Sequence, residues 1–250
     1  MDIVPKKIII VPYRNRENHK IFFMKHMNDY FENEDKIEMY FVHQMDNRCF
    51  NRGGMKNIGF LAMKKKYPNH YKNITFIFHD IDTLPRNKGI LKYDTNVGSV
   101  VHHYGTTFAL GGIVVIKGID FEKITGFPNY WGWGMEDNML QERCIQYNIK
   151  IDRSNFFPMH DKENIIRLFD GFLRVANTRE PSIYKYETSD SLLDIHKLTY
   201  NIDNEFINVF SFETGRPHNG KEVREWDIRS GSKMTIPKGQ CRKNWSMDLF

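Results

Sequence analysis

A pair of acids, Asp80-Ile81-Asp82, follows the apolar run at residues 74–78 after a single residue, His79. Alternate residues of an extended chain point to the same side, so both carboxylates are expected to face one ion. An acid-x-acid triplet alone is as often a turn as a metal site. Charged groups at the end of a buried strand, however, need a counterion. This position therefore favours a divalent cation, which prefers carboxylate oxygens.

A second segment combines aromatic residues, glycines and acids, and reads NYWGWGMEDN at 129–138. Leu140 and Cys144 continue a helical pattern after it, so Glu136 and Asp137 fall in a first helical turn, where the helix dipole stabilises negative charge. Taken alone, these two acids could simply stabilise the start of the helix. The two tryptophans between glycines predict an exposed, mobile stacking surface for a sugar ring. A carboxylate beside that surface suits a general base acting on a sugar hydroxyl.

Basic and aromatic side chains follow the apolar runs at 7–11 and 37–42. They are Arg14, Arg16, Phe50 and Arg52, and Pro12 precedes them in the first segment. The planar guanidinium fork matches phosphate oxygens, so arginines next to a carboxylate pair describe a site for a metal-bound diphosphate. His160 is one of 10 histidines and becomes a candidate metal ligand only by association with the other motifs.

Hydrophobic periodicity indicates which elements carry these side chains. The runs at 7–11, 37–42 and 74–78 are typical of buried strands, and Pro12 is expected to end the first one. Helical spacing over 17–30 and 55–66 separates them. Alternating strands and helices predict right-handed βαβ units and a parallel sheet. Because ligands of such sheets bind beyond the carboxyl ends of the strands, we expect the polar segments to meet at one edge.

The composition indicates a globular chain. Its 250 residues are 40% hydrophobic and 27% charged, which excludes a disordered chain and a polytopic membrane protein. The 36 Lys and Arg are dispersed among 31 acids, so a nucleic-acid-binding arm is not favoured. The three cysteines form no CxxC pair, which predicts reduced thiols in a cytoplasmic or other reducing compartment. No signal peptide or apolar run of about 18 residues is evident in the sequence.

The motifs together resemble those of the beta-1,4-galactosyltransferase family. In the family's order they are PYRNR at 12–16, FNR and NIGF within 50–60, FHDIDTLP at 78–85, GG at 111–112, GFPNYWGWGMEDN at 126–138, HDK at 160–162 and SLLDIHKLTY at 191–200. The resemblance implies a GT-A-type nucleotide-binding α/β fold with a mostly parallel central sheet flanked by helices. We therefore expect a catalytic domain over residues 1–212 and a loop-rich appendage packed on it over 213–250.

The resemblance also implies a role for each matching position. Asp82 and His160 would bind Mn²⁺ or another divalent cation. The UDP-sugar donor would contact Pro12, Arg14, Arg16, Phe50, Arg52, Asp80, Gly112 and Trp133. The sugar acceptor would contact Trp133, Glu136, Asp137 and Asn138. Asp137 would be the general base, and no lysine near the phosphates has an evident counterpart in this chain.

The implied reaction is transfer of galactose, with inversion, from UDP-galactose to a hydroxyl of a glycan or glycoprotein. Ala109 stands where galactose-transferring members carry an aromatic residue, so N-acetylgalactosamine or glucose remain alternative donor sugars. Phe157 and Pro158 stand at positions where the family often carries a metal ligand, which leaves the third protein ligand open. The family's animal members have a membrane anchor and disulfides, and neither is evident in this sequence. This predicts a soluble microbial or viral enzyme, although an excised catalytic domain would look similar.

Two other functions fit part of the pattern. The altered metal ligands allow a sugar- or nucleotide-binding module of the same fold that has lost turnover. The acid pair alone also allows a phosphohydrolase with an aspartyl nucleophile, although such an enzyme has no need of the paired tryptophans.

Overall fold

A computed structural model describes residues 4–32, 34, 36–177 and 190–230. The strands are β1 (Lys7–Tyr13), β2 (Ile37–Gln44), β3 (Thr75–His79), β4 (Thr83–Pro85), β5 (Ser99–Gly105), β6 (Ile113–Lys117), β7 (Lys150–Asp152), β8 (Phe157–Pro158), β9 (Ile165–Arg167), β10 (Leu173–Asn177), β11 (His196–Asp203), β12 (Phe206–Glu213) and β13 (Val223–Asp227). The helices are α1 (Glu17–Tyr30), α2 (Arg52–Lys66), α3 (Gly118–Lys123) and α4 (Glu136–Gln146), with short 3₁₀ turns at Leu192–Asp194, Gly220–Glu222 and Ile228–Ser230.

Within the described residues, nine strands form one central sheet in the order β11-β12-β2-β1-β3-β6-β5-β7, with β8 also pairing with β5. Strands β12, β2, β1 and β3 are parallel neighbours. Strand β6 runs antiparallel to both β3 and β5, whereas β5 is parallel to β7 and β8. The predicted mixed α/β fold with a mostly parallel sheet is confirmed.

Both faces of the sheet are covered, as the alternation of side chains along β1 shows. Ile8 and Ile10 belong to an apolar cluster that contains residues of α2, α3 and α4. Ile9 belongs to a second cluster on the other face, together with Phe23 and Met27 of α1. These five side chains are fully buried, and each contributes roughly 1.5–3 kcal/mol when removed from water. Burial on both faces explains why the strands are continuous apolar runs.

The prediction that Pro12 ends β1 is wrong, because the strand continues to Tyr13, with Pro12 opposite Val42 of β2. Pairing with β3 stops at Ile10, so beyond that residue β1 has β2 as its hydrogen-bonded neighbour. A strand paired on one side tolerates the missing N–H of proline. The longer strand carries Arg14 to the sheet's edge.

Two small antiparallel sheets lie outside the central one and pair β4 with β9 and β10 with β13. The predicted domain boundary at 212 falls one residue before the end of β12, and the two-domain division stays a prediction. Cys241 and Trp245 of the expected appendage lie outside the described residues. None of the helices in the described part of the chain has the length and apolarity needed to cross a membrane.

Candidate active site

A cavity of about 700 Å³ opens beyond the carboxyl ends of β1 and β3. It brings together twelve of the predicted site residues: Pro12, Arg14, Arg16, Phe50, Arg52, Asp80, Asp82, Gly112, Trp133, Glu136, Asp137 and Asn138. His160 is the exception, since its side chain is exposed and does not belong to the described lining. Its neighbour Met159 does line the cavity. The expectation that the polar segments meet at one edge therefore holds for all of them except His160.

The acid pair lies where β3 leaves the sheet. The backbone N–H of Asp80 donates a hydrogen bond to the carbonyl of Gly112 at 2.9 Å, which joins the pair to the start of β6. The carbonyl of Asp82 accepts a hydrogen bond from the N–H of Leu168 at 2.7 Å. Gly112 has a φ of +66°, and an added Cβ would lie 2.7 Å from the carbonyl oxygen of Tyr104. Glycine is thus required at this close crossing of two chains.

The carboxylate of Asp82 is the group best suited to a cation. Burial, together with the negative charges of Asp80 and Asp170, raises its pKa to about 6. A hard divalent cation stabilises such closely spaced oxygen donors, so the donor set fits the implied metal. Within the described residues, no group of three His, Cys, Asp or Glu side chains is arranged to hold a metal. The metal-binding roles of Asp82 and His160 stay predictions.

The start of α4 positions the predicted acceptor side chains. Met135 precedes the helix in the left-handed region, with φ of +73°, and this turns Glu136 inward. Glu136 is buried and accepts a hydrogen bond from the N–H of Gly134 at 3.1 Å, so it supports the loop. The side-chain amide of Asn138 donates to the carbonyl of Phe108 at 3.1 Å. Asp137 projects between them toward the cavity.

Asp137 has a pKa suited to exchanging protons near neutrality. Burial raises its pKa to about 7, opposed by the ammonium of Lys56 and assisted by the charges of Glu136 and Asp80. The Nζ of Lys56 lies 3.2 Å from Oδ1 of Asp137 and 3.7 Å from Oδ1 of Asp80. A general base with a pKa near the working pH is the most effective.

Lys56, which lies on α2, is a site residue that the sequence motifs did not reveal. Its side chain is 3% exposed, and its ammonium lies 4.6 Å from the ring centre of Phe127. A signal was present in the sequence, because helical spacing places residue 56 on the same face as Phe60 and Met63, four and seven positions later. A lysine on an apolar helix face needs a buried counter-charge, and Asp80 and Asp137 supply it.

Two of the arginines that line the cavity, Arg14 and Arg16, also bind other groups of the protein. Arg14 donates to the carbonyls of Gln44 at 3.3 Å, Asp46 at 2.8 Å and Arg48 at 2.6 Å, so it holds the segment after β2. Arg16 pairs with Asp170 at 3.0 Å. Arg14 can therefore bind a ligand only through the N–H groups that do not bind these carbonyls.

Phe50 lies beneath two guanidinium groups. The guanidinium carbon of Arg14 is 5.5 Å from its ring centre, and that of Arg52 is 5.2 Å away. Such cation–π contacts hold the charges above an aromatic ring and leave the rest of each fork available. The cluster gives the donor end of the cavity a positive potential next to a flat aromatic group, a combination that suits a nucleotide.

The two tryptophans of the motif have different environments. Trp131 is buried, stacks on Phe212 with ring centres 5.3 Å apart, and donates from Nε1 to the carbonyl of Arg216 at 3.0 Å. The prediction of an exposed stacking surface is therefore wrong for Trp131, because residues 81 and 85 positions later cover it. Trp133 lines the cavity as predicted.

Trp133 is held by the β10–β13 sheet. Its N–H donates to the carbonyl of Val175 at 2.7 Å, and its carbonyl accepts from the N–H of Asn177 at 3.1 Å. Its ring stacks on Trp226 of β13, with centres 5.4 Å apart and planes inclined by 18°. The loop that was expected to be mobile is thus tied to the described part of the C-terminal segment, which sequence patterns did not reveal.

Two family models match consecutive parts of this chain. A family model described as the N-terminal region of glycosyl transferase group 7 matches residues 3–93, and one described as the N-terminal domain of galactosyltransferase matches residues 91–169. Beta-1,4-galactosyltransferase 4 of Cricetulus griseus is 32% identical over 184 residues, which are 66% of this chain and 52% of the relative. Beta-1,4-galactosyltransferase 1 of Homo sapiens is 27% identical over 219 residues, 80% of this chain and 52% of the relative. The chain spans about half the length of these curated relatives.

A solved structure supports the fold. A mutant Drosophila beta-1,4-galactosyltransferase 7, in complex with manganese, UDP-Gal and xylobiose, aligns with a TM-score of 0.63 and 20% identity over 83% of this chain and 94% of that one. The fold is thus of the GT-A type seen in solved galactosyltransferase structures. With the two family models together spanning residues 3–169, the chain belongs to the beta-1,4-galactosyltransferase family.

Proposed function

We propose that this chain transfers galactose from UDP-galactose to a hydroxyl group of a sugar acceptor, using a divalent metal and inverting the anomeric centre. The observation that carries the proposal is the shared cavity, in which Asp80 and Asp82 lie with Asp137 and the basic cluster around Phe50. Family membership and the manganese and UDP-Gal of the Drosophila structure support the same donor and cofactor.

Asp137 performs the acid–base step. Its carboxylate accepts the proton of the acceptor hydroxyl while that oxygen attacks the anomeric carbon of the donor sugar, and the bond to the diphosphate breaks. A single displacement of this kind inverts the configuration. A positioned general base contributes about 10²–10⁴-fold to the rate.

The donor end of the cavity binds and neutralises the diphosphate. Arg16 and Arg52 supply positive charge there, and the ring of Phe50 offers a stacking surface for the uracil. Asp82, with His160, would hold Mn²⁺, which when bound neutralises charge developing on the leaving diphosphate. Trp133 lines the same cavity, where it would cover the donor sugar.

The test is UDP release from UDP-galactose in the presence of a sugar acceptor, measured with Mn²⁺, with EDTA, and with Mn²⁺ restored. We expect release that requires both metal and acceptor. The Asp137→Asn variant should lose about 10²–10⁴-fold in turnover and keep its affinity for UDP. Asp203→Asn, an exposed acid at the end of β11, is the matched control and should behave as the wild type. Unchanged transfer by Asp137→Asn would remove that residue from the role.

The donor sugar is the finer point of the proposal. Ala109 lines the cavity and is 9% exposed, so a small side chain borders the space in which the sugar would lie. A smaller wall leaves room for an N-acetyl group, which makes UDP-N-acetylgalactosamine a competing donor. Comparing UDP-galactose, UDP-glucose and UDP-N-acetylgalactosamine at equal concentration decides among them. Clear preference for UDP-galactose would contradict the enlarged-pocket argument.

A second candidate is a nucleotide-binding module without turnover. The exposed side chain of His160 favours it, because this predicted metal ligand does not belong to the described cavity lining that contains Asp82. Calorimetry of UDP binding, combined with the UDP-release assay, distinguishes the two functions. A module without turnover binds UDP but releases none from UDP-sugars with any divalent metal.

A further inference from the structure

Lys56 is the one described lysine that is almost fully enclosed beside the cavity, yet it does not belong to the described lining. It lies in the first half of α2, where residues 53–60 are all buried. An ammonium at such a position loses its hydration, so retaining it requires compensating charge. Its two neighbours are carboxylates that serve opposite ends of the proposed reaction.

The geometry makes Lys56 a bridge. Its Nζ donates to Oδ1 of Asp137 at 3.2 Å and lies 3.7 Å from Oδ1 of Asp80. Asp80 comes from the segment after β3, and Asp137 from the first turn of α4, so one side chain of α2 connects three elements. Burial disfavours the charge on Lys56, but the carboxylates of Asp137, Asp80 and Glu136 outweigh it and raise the pKa of Lys56 above its usual value. Lys56 therefore stays protonated and serves as a fixed charge.

The charged groups that face Asp137 come from those same three elements. Lys56 faces it from α2, Asp80 from the segment after β3, and Glu136 from α4 itself. Asp80 and Glu136 are negative and disfavour the ionised form of Asp137, whereas the positive charge of Lys56 favours it. The charge on Lys56 is thus what offsets burial and the two neighbouring acids at Asp137.

We propose that Lys56 is a positioning residue whose ammonium, from beneath the cavity floor, holds the carboxylate of Asp137 in its ionised form and at a fixed distance from Asp80. The proposal rests on the proposed function, since it concerns the base of that reaction. Because Lys56 does not belong to the described lining of the cavity, it acts through Asp137.

The test compares Lys56→Met, which keeps the length of the side chain and removes its charge, with the conservative Lys56→Arg. We expect Lys56→Met to lower turnover by about 10- to 100-fold, a part of the general-base contribution. The acidic limb of its pH–rate profile should move up by about one pH unit or more, because a neighbouring positive charge lowers a carboxyl pKa by roughly 1–3 units. Lys56→Arg should restore the limb and part of the rate.

A double-mutant comparison separates positioning from mere structural support. In the Asp137→Asn background, Lys56→Met should slow turnover by no more than about twofold, because residues that act as one unit are not additive. Lys64→Met is the matched control: it lies on the same helix, pairs with Glu122, and should leave rate and profile unchanged. Melting temperature and UDP affinity, measured on each variant, report whether the fold and the donor end persist.

Each possible result of these measurements either supports or overturns the proposal. A slower Lys56→Met with a shifted limb and no added loss in Asp137→Asn supports the proposal. Wild-type behaviour of Lys56→Met overturns it, and so does a loss that is additive with Asp137→Asn and leaves the limb in place. If the wild-type protein binds UDP but releases none from UDP-galactose, the proposed function itself is refuted. That result differs from any of the outcomes that concern only the role of Lys56.

Discussion

Gly111→Ala should lower turnover without unfolding the protein. An alanine Cβ at this position would lie 2.6 Å from Oδ2 of Asp137 and 3.1 Å from its Cγ. Ordinary contact begins at 3.4 Å, so the carboxylate has to retreat by about 0.8 Å. The atom in the way is the end of a side chain and not backbone, so we expect stability to change by about 1 kcal/mol or less.

The kinetic cost is larger than the cost in stability. A misplacement of about 1 Å in a reacting group costs roughly 10²-fold, so we expect turnover to fall by about 30- to 100-fold. The assay is UDP release at saturating donor and acceptor, with melting temperature and UDP affinity measured in parallel. Gly220→Ala is the control, because an added Cβ there meets nothing within 4 Å. Gly111→Ala with wild-type turnover would refute the argument that the position of Asp137 sets the rate.

Other contacts of the site should affect the pH dependence, the binding of the acceptor and the choice of donor. Because the base must be ionised and the pKa of Asp137 is about 7, kcat/KM should fall about tenfold per pH unit below pH 7 and level off above it; a flat profile from pH 5.5 to 8 would contradict the assignment. Trp226→Ala removes a stacked ring worth about 0.5–1.5 kcal/mol from Trp133, so the acceptor KM should rise several-fold while calorimetry finds UDP affinity unchanged; an unaltered KM would show that the stack does not shape the site. Ala109→Tyr should reduce the kcat/KM ratio of UDP-N-acetylgalactosamine to UDP-galactose by about tenfold or more, and an unchanged ratio would separate Ala109 from donor choice.

Local pattern was enough to predict the elements that carry the site. Helix α1 occupies the predicted range of 17–30, and the three predicted strands recur in the central sheet with shifts of one or two residues at their ends. Buried parallel strands leave strong local signals because both faces are apolar. The polar residues that end those strands then share an edge by topology alone, which is why twelve of the predicted site residues line one cavity.

Contacts distant in sequence were beyond such reasoning. Trp131 is covered by Phe212, and Trp133 stacks on Trp226, in both cases through segments that show no pattern of their own. Arg14 was expected to serve the donor, but three of its hydrogen bonds go to backbone carbonyls that follow β2. The type of a side chain indicates what it is able to bind. Whether its N–H groups bind a ligand or carbonyls of the protein itself is decided only in the folded chain.

The reactivity of Asp137 emerges from a balance that no motif encodes. The left-handed Met135, a conformation that costs about 1–3 kcal/mol in a residue other than glycine, begins α4 and sends Glu136 inward and Asp137 toward the cavity. Burial then raises the pKa of Asp137, and Lys56 of α2 opposes the rise, leaving it at about 7. If Lys56 were absent, burial and the neighbouring acids would favour the protonated carboxyl, which does not accept a proton from an attacking hydroxyl. In the proposed reaction, the ionisation of Asp137 therefore depends on the ammonium that α2 brings next to it.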